Sequence, residues 1–296
     1  MRQLVAITVI LVLATTLPAF ADRSEEVGAA VAVPSPEPVA GPSWPGPRGA
    51  VLVDNGPLVN VPGGGAGGAD LSMLENVTLG MTSLGLANQG PGDTGNRVSD
   101  DFTVTGEGWI LDECTFYAYQ TGAPTTPSPI SAINVQVWDG APDDPASMVV
   151  AGDLTTNIQT DSAWSNIYRA AEDDTASTLR AIFAITADMG GLELAAGDYW
   201  FDWAPTGSAT FSGPWAPPIA ILGQTSTGNA KQFFAGAWQD VEDGGTLTPL
   251  GLPFVCTGQE VIDAVPPTDI PTLSQVGLIA MLLALAGFGI VRMRRS

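Results

Sequence analysis

The chain has 296 residues, of which 31 are acidic and ten are basic, and it contains no histidine. The absence of histidine excludes Ser-His-Asp and Cys-His nucleophile systems and the usual histidine-containing zinc sites. The net charge of −21 argues against nucleic acid as a partner, because phosphate contacts require clustered lysine and arginine.

The first 21 residues have the order of a secretory signal peptide. Arg2 precedes an apolar run over residues 4–17, and Ala19 and Ala21 are the small residues that a signal peptidase requires at −3 and −1. We therefore predict cleavage before Asp22 and export of the mature chain. The alternative is an uncleaved N-terminal anchor, although the apolar run is short for a membrane span.

Residues 22–48 are rich in proline, glycine, alanine and valine, and we predict a linker there because closely spaced prolines cannot sustain a helix or a central strand. A glycine-rich stretch over residues 62–68 is expected to be a loop between early strands. Residues 264–269 are predicted to form a short stalk. Four of the ten basic residues lie in the terminal segments, so the exported part is strongly anionic.

Between residues 49 and 263 the main pattern is an alternation of apolar and polar residues. In residues 133–138, Ile133, Val135 and Val137 face one side while Trp138 faces the other. Many short strands with no long amphipathic helix favour an all-β fold, an antiparallel β-sandwich or jelly-roll-like ectodomain. Further strands are predicted at residues 110–119, 148–151, 167–170, 179–186, 199–203, 232–234 and 253–257.

Two cysteines, Cys114 and Cys256, both lie in predicted strands of the exported part. An isolated pair outside the cytoplasm predicts a disulfide, because that environment is oxidising. Such a bond would stabilise the fold by roughly 5 kcal/mol in the chain-entropy model. The alternative is two separate buried thiols.

Tryptophan is the residue type that points to a ligand. Flat indole faces on a β-sandwich surface stack on sugar rings, and Trp138, on the polar side of its strand, is the candidate glycan contact. Tryptophan also packs in cores, and residues 199–203 alternate so that Tyr199, Phe201 and Trp203 are expected in the core. The tryptophans of the predicted ectodomain are Trp109, Trp138, Trp164, Trp200, Trp203, Trp215 and Trp238.

Carboxylates are the remaining candidates for catalysis and metal binding. Glycoside hydrolysis uses two carboxylates about 5 to 9.5 Å apart, and Asp139, Glu193 and Asp202 are the candidates because aromatic residues lie near them in the sequence. A chain with 31 acidic residues contains such pairs by chance, so we predict no enzyme and no required cofactor. Aspartates that could hold a structural calcium, although solvated turns also explain them, are Asp100, Asp101, Asp139, Asp143, Asp144, Asp173 and Asp174.

The last 27 residues, 270–296, combine a proline-led motif, an apolar run and a basic end. Residues 273–291 carry no charge and would reach about 28 Å as a helix, enough for a bilayer core. The segment resembles the IPTL-CTERM sorting signal of Gram-negative bacteria, although Val276 and Gln275 depart from the usual Trp and Glu. The residues that carry this resemblance are Ile270, Pro271, Thr272, Leu273, Ser274, Gly277, Arg292, Arg294 and Arg295.

Stretches within residues 49–263, such as 99–102 and 191–200, also resemble exported bacterial β-sandwich domains found with PEP-CTERM and IPTL-CTERM tails. The resemblance implies inner-membrane anchoring with a periplasmic ectodomain, a membrane-embedded sorting enzyme that cuts near residues 270–273, and passage to the cell surface or an extracellular polysaccharide matrix. We therefore expect a non-catalytic structural or adhesive protein. The alternatives are a carbohydrate-binding module and a carboxylate glycoside hydrolase.

Overall fold

The computed structural model shows a chain that divides into two units, the first ending at Val261 and the second beginning at Ile262. The first unit is all-β. Two short 3-10 helices, Ala66–Gly68 and Val77–Leu79, interrupt its early strands. The structure describes residues 43–90, 95–219, 226–262 and 279–285.

The strands of the first unit fall into a larger and a smaller sheet. In chain order they are β1 (Val51–Asp54), β2 (Asp70–Asn76), β3 (Met81–Thr82), β4 (Leu86–Ala87), β5 (Arg97–Val104), β6 (Trp109–Thr121), β7 (Ala132–Trp138), β8 (Val149–Asp153), β9 (Gln159–Ala171), β10 (Ala181–Leu194), β11 (Gly197–Thr206), β12 (Ser212–Ala216), β13 (Lys231–Phe234), β14 (Ala237–Asp240) and β15 (Phe254–Glu260).

The larger sheet has the order β1-β15-β6-β10-β9-β2-β3, and β12 joins β6 and β4 beside this path. The long strand β6 pairs with β10 on one side, and with β15 and then β12 on the other. The predicted antiparallel pairing is observed between the other described strands, whereas β2 and β9 run parallel. Parallel neighbours require a long crossover, and here the chain between them passes through β5 and β7 of the smaller sheet.

The smaller sheet has the order β14-β13-β5-β11-β7-β8, and its strand pairs are antiparallel. The predicted alternation in β7 is confirmed, because Ile133, Val135 and Val137 lie in the hydrophobic core. The intervening residues of β7, including Trp138, therefore point to the opposite face of the sheet. This opposite face is called the outer face below.

One core contains the inner faces of both sheets. Phe116 of β6 contacts Phe201 and Trp203 of β11, with ring centroids 5.5 and 4.9 Å apart. Phe254 of β15 packs against Phe201 at 5.2 Å and against Phe102 of β5 at 6.2 Å. The expected core positions of Tyr199, Phe201 and Trp203 are thus confirmed, with Tyr199 partly buried at the margin.

The predicted disulfide lies in this core. Cys114 of β6 and Cys256 of β15 are bonded, and they occupy directly opposite positions of the two paired strands. Both residues are fully buried. The bond therefore connects neighbouring strands of the larger sheet that lie 142 residues apart in the sequence.

In the second unit, residues 279–285 are helical. Among the residues that the structure describes, no helix has both the length and the apolar character needed to cross a membrane. The predicted span over residues 273–291 extends beyond the described part on both sides. The predicted signal peptide, with Ala19, Ala21 and Asp22, and the sorting-motif residues Ile270, Pro271, Thr272, Leu273, Ser274, Gly277, Arg292, Arg294 and Arg295 also lie outside the described residues.

Candidate functional site

A polar row of side chains crosses the outer face of the smaller sheet. The strand register places one residue of each of five neighbouring strands in this row. Their sequence neighbours Val98, Phe201 and Val137 fill the core on the other side of the sheet, so the row must point outward. Across β14, β13, β5, β11 and β7 the row is Asp240, Lys231, Ser99, Asp202 and Gln136.

Aromatic residues lie on both sides of the polar row. On one side, Phe233 of β13 is opposite Trp238 of β14 and next to Arg97 of β5. The Arg97 guanidinium carbon is 3.9 Å from the Phe233 ring centroid and 5.0 Å from that of Trp238. On the other side, Trp200 of β11 is opposite Trp138 of β7. Trp138, Phe233 and Trp238 are half-buried, whereas Trp200 is buried.

A buried ion pair lies beneath these aromatic residues. Arg97 Nε donates to Asp202 Oδ2 at 2.8 Å, and the Asp202 side chain is fully buried although it lies on the outer face. Burial raises the pKa of Asp202 to about 6, and the Arg97 charge and the Trp138 indole oppose that rise. Cation–π contacts with Phe233 and Trp238 further shield the pair from solvent.

Three neighbouring polar atoms of this face are buried and take part in no regular hydrogen bond within the described part of the chain. They are Ser99 Oγ, Asp202 Oδ1 and Trp138 Nε1. The Trp138 indole N–H lowers the pKa of Asp202 as a hydrogen-bond donor does, so the Ser99 hydroxyl is the one of these three atoms for which no donor or acceptor is identified within the described residues. A buried hydroxyl without a partner costs about 1–3 kcal/mol relative to a satisfied one.

A pocket of about 400 Å³ opens at the edge of the same face. Trp200 and Lys231 line it together with Asp143, Asp240 and Glu242. Lys231 Nζ lies 2.8 Å from Asp143 Oδ2, 2.7 Å from Asp240 Oδ1 and 5.9 Å from the Trp200 ring centroid. Partial burial lowers the pKa of Lys231. The hydrogen bonds to Asp143 and Asp240 outweigh this effect, so the pKa of Lys231 is raised overall.

The structure therefore places the predicted glycan contact Trp138 beside Trp200 and next to this pocket. Sequence reasoning missed Arg97, Lys231 and Asp240, whose positions depend on the register of three strands. A usable signal was present, because Arg97 and Lys231 are two of only six basic residues between the terminal segments. In an anionic chain, two cations near aromatic residues indicate a specific site.

The three carboxylates considered for glycoside hydrolysis lie in different surroundings. Asp202 is buried against Arg97. Asp139 is exposed and accepts the Met148 N–H at 2.6 Å, as expected in a turn. Glu193 is exposed on β10 of the larger sheet, whereas Asp202 lies on β11 of the smaller sheet. A fully buried, paired Asp202 and a Glu193 on the other sheet give no support to an acid and a base that share one cleft.

The calcium candidates also have local roles. Asp100 is buried and accepts the Leu252 N–H at 2.7 Å and the Asn55 side-chain amide at 2.8 Å. Its neighbour Asp101 belongs to the outer face of β5. Asp143 pairs with Lys231, as described above.

The other candidates lie in exposed turns. Asp144 accepts the Ala146 N–H at 2.9 Å. Asp173 and Asp174 are exposed at the turn after β9. The residues described here contain no group of three or more acidic or cysteine side chains that could hold a metal ion.

Comparison with known proteins bears on the C-terminal end. A family model described as the IPTL-CTERM motif matches residues 270–295. The chain carries an IPTL-CTERM motif. The match confirms the resemblance that Ile270, Pro271, Thr272 and Leu273 indicated. No curated protein and no solved structure matches the chain.

The IPTL-CTERM motif indicates an exported, sorted protein that interacts with a membrane-associated sorting machinery. The β-rich first unit and its disulfide agree with that destination, because disulfides persist in oxidising compartments. The motif covers 26 residues at the C-terminal end and does not extend to the outer face of the smaller sheet. The chemistry of that face has to be derived from its own residues.

Proposed function

We propose that the chain is an exported cell-surface or matrix protein whose first unit is a non-catalytic β-sandwich with a structural or adhesive role. The IPTL-CTERM match over residues 270–295 is the observation that carries this proposal. The packing of Phe116 against Phe201 across the core supports a sandwich, because the two residues come from different sheets.

The proposed route follows from the terminal segments. The signal peptide, residues 1–21, directs export and is removed before Asp22. Residues 273–291 then hold the chain in the inner membrane, with the basic residues after position 291 in the cytoplasm and the β-sandwich in the periplasm. A membrane-embedded enzyme cuts near residues 270–273, and the first unit passes to the cell surface.

Cell fractionation combined with intact-mass measurement tests this route. The expected product starts at Asp22, lacks the basic C-terminal end and is found outside the inner membrane. Replacing Pro271 by alanine should cause the uncut form to accumulate in the membrane fraction, whereas Pro266→Ala in the stalk is the matched control and should be processed normally. Full-length protein in the cytosol with both ends intact would refute the proposal.

Carbohydrate binding is the second candidate, and the arrangement of aromatic residues on the outer face favours it. Trp138, Phe233 and Trp238 are half-buried there, so each of these residues keeps some contact with solvent. Aromatic rings beside polar side chains suit sugar rings, which have apolar faces and polar edges. A glycan array with the full chain tests this candidate, and loss of binding in a folded Trp138→Ala variant would support it.

Glycoside hydrolysis is the third candidate. It requires two carboxylates about 5 to 9.5 Å apart across a sugar site. The surroundings of Asp139, Glu193 and Asp202 give it no support, and we propose that the chain is not an enzyme. A hydrolysis assay on every glycan that binds in the array would detect the activity, and release of reducing sugar would contradict the proposal.

A further inference from the structure

We propose that the pocket beside Trp200 binds one uncharged hexose unit of a polysaccharide, with Lys231, Asp143 and Asp240 as the polar contacts. This inference rests on the carbohydrate-binding candidate above and adds the site and the chemical class of the ligand. The pocket volume of about 400 Å³ is in the range of small-ligand sites, which run from roughly 300 to 1,000 Å³.

The polar contacts suit the hydroxyl groups of a sugar. Lys231 Nζ lies between Asp143 and Asp240, so a charged donor is flanked by two charged acceptors at 2.8 and 2.7 Å. A sugar hydroxyl both accepts and donates a hydrogen bond. Neighbouring hydroxyls can therefore accept from Lys231 and donate to the aspartates, and such charge-assisted bonds are stronger than bonds between neutral groups.

The charge of the pocket selects an uncharged sugar. Three carboxylates, those of Asp143, Asp240 and Glu242, line it together with one ammonium group, that of Lys231. An excess of negative charge repels uronates, sulfated sugars and phosphates. The anionic chain as a whole strengthens this effect, because its net charge is −21.

The polar row of the outer face leads away from the pocket. Ser99 and Asp202 are fully buried, and the Ser99 hydroxyl has no hydrogen-bond partner among the described residues. Ser99 lies beside Lys231 in the strand register, and Asp202 lies beside Ser99. The row therefore connects the pocket residue Lys231 with β7 and Trp138, where a second sugar unit would stack.

The test measures glycan binding by the full chain, solubilised in a detergent without a sugar head group so that micelles do not compete. Lys231→Met removes the charge and keeps most of the side-chain volume. Asp240→Asn removes one acceptor charge from a residue whose side chain is 73% exposed, so this variant is expected to fold. The matched control is Asp112→Asn, an exposed aspartate on β6 of the larger sheet.

The expected result is binding of an uncharged polysaccharide that weakens about ten-fold or more in both pocket variants, the change expected for the loss of a charge-assisted hydrogen bond. Asp112→Asn should bind like the unmodified chain. Unchanged binding in Lys231→Met and Asp240→Asn, with loss in Trp138→Ala, would refute the pocket and leave carbohydrate binding standing. Preference for uronates would refute the uncharged ligand. No binding to any glycan would refute both the hexose pocket and carbohydrate binding in general. The proposal of export and sorting would not be affected, because cell fractionation tests it separately.

Discussion

Replacing Cys114 and Cys256 together by alanine is expected to lower the free energy of unfolding by about 5 kcal/mol. The bond closes a loop with a sequence separation of 142 residues. In the chain-entropy model, a loop of this length restricts the unfolded chain by roughly 5 kcal/mol at 25 °C. Both positions are fully buried. Alanine is the suitable replacement because it leaves neither a free thiol nor a polar group in the core.

Urea unfolding followed by tryptophan fluorescence measures this change. A β-unit of this size has an m-value on the order of 2.5 kcal/mol per molar urea, so a loss of 5 kcal/mol moves the unfolding midpoint by about 2 M. The slope of the transition should also increase, because an unfolded chain without the cross-link exposes more surface.

Reduction of the unmodified chain provides the control. A reductant should move its midpoint towards that of the double variant, and the same reductant should leave the variant unchanged. A midpoint shift below about 0.4 M, equivalent to roughly 1 kcal/mol, would refute the reasoning from loop closure. Alkylation of both cysteines in the non-reduced chain would show instead that the bond is not formed.

Three further predictions concern stability. Burial raises the pKa of Asp100 to about 7 and that of Asp202 to about 6. The folded chain therefore keeps protons that the unfolded chain releases above about pH 4, so the urea midpoint should fall between about pH 4 and pH 7, and a midpoint that rises over this range would contradict the reasoning. Gly152→Ala should lower the free energy of unfolding by at least about 2 kcal/mol more than Gly190→Ala does in the same assay. Both glycines have positive φ, but of the two only a Cβ at Gly152 would clash with a backbone carbonyl, that of Val135. Equal midpoints for the two variants would refute this. Asp243→Ala should lower the free energy of unfolding by about 3 kcal/mol, because it leaves several hydrogen-bond donors unpaired. The thermal midpoint should fall accordingly, and an unchanged midpoint would contradict the prediction.

The sequence allowed prediction of strands whose apolar residues alternate without interruption. Residues 133–138 are such a case, and the observed strand is Ala132–Trp138. The strand β5, Arg97–Val104, was missed because Asp100 occupies an inward position between Val98 and Phe102. That carboxyl group can be buried because Asn55 and Leu252, distant in the sequence, donate to it. A hydropathy pattern contains no information about such donors.

The candidate site was predictable only in part, for a related reason. Trp138 could be assigned to the outer face from the alternation of β7 alone. Its neighbour Trp200 comes from β11, and Lys231 comes from a hairpin that pairs with β5. The register between these strands is set by tertiary packing, so single-sequence periodicity gives the face of each residue but not its neighbours.

The buried Arg97–Asp202 pair distinguishes a packing role from a binding role for the outer face. Replacing a buried ion pair by apolar residues of similar size is often neutral or stabilising, so packing alone gives little reason for charges at these positions. We expect the double variant Arg97→Met and Asp202→Leu to have a free energy of unfolding within about 1 kcal/mol of that of the unmodified chain. The same variant should lose glycan binding, because the pair and the Trp138 indole hold the surface beside the pocket in place. Full retention of binding in a stable double variant would mean that the pair serves packing alone, and the argument for a ligand would then depend on Lys231 and its two aspartates.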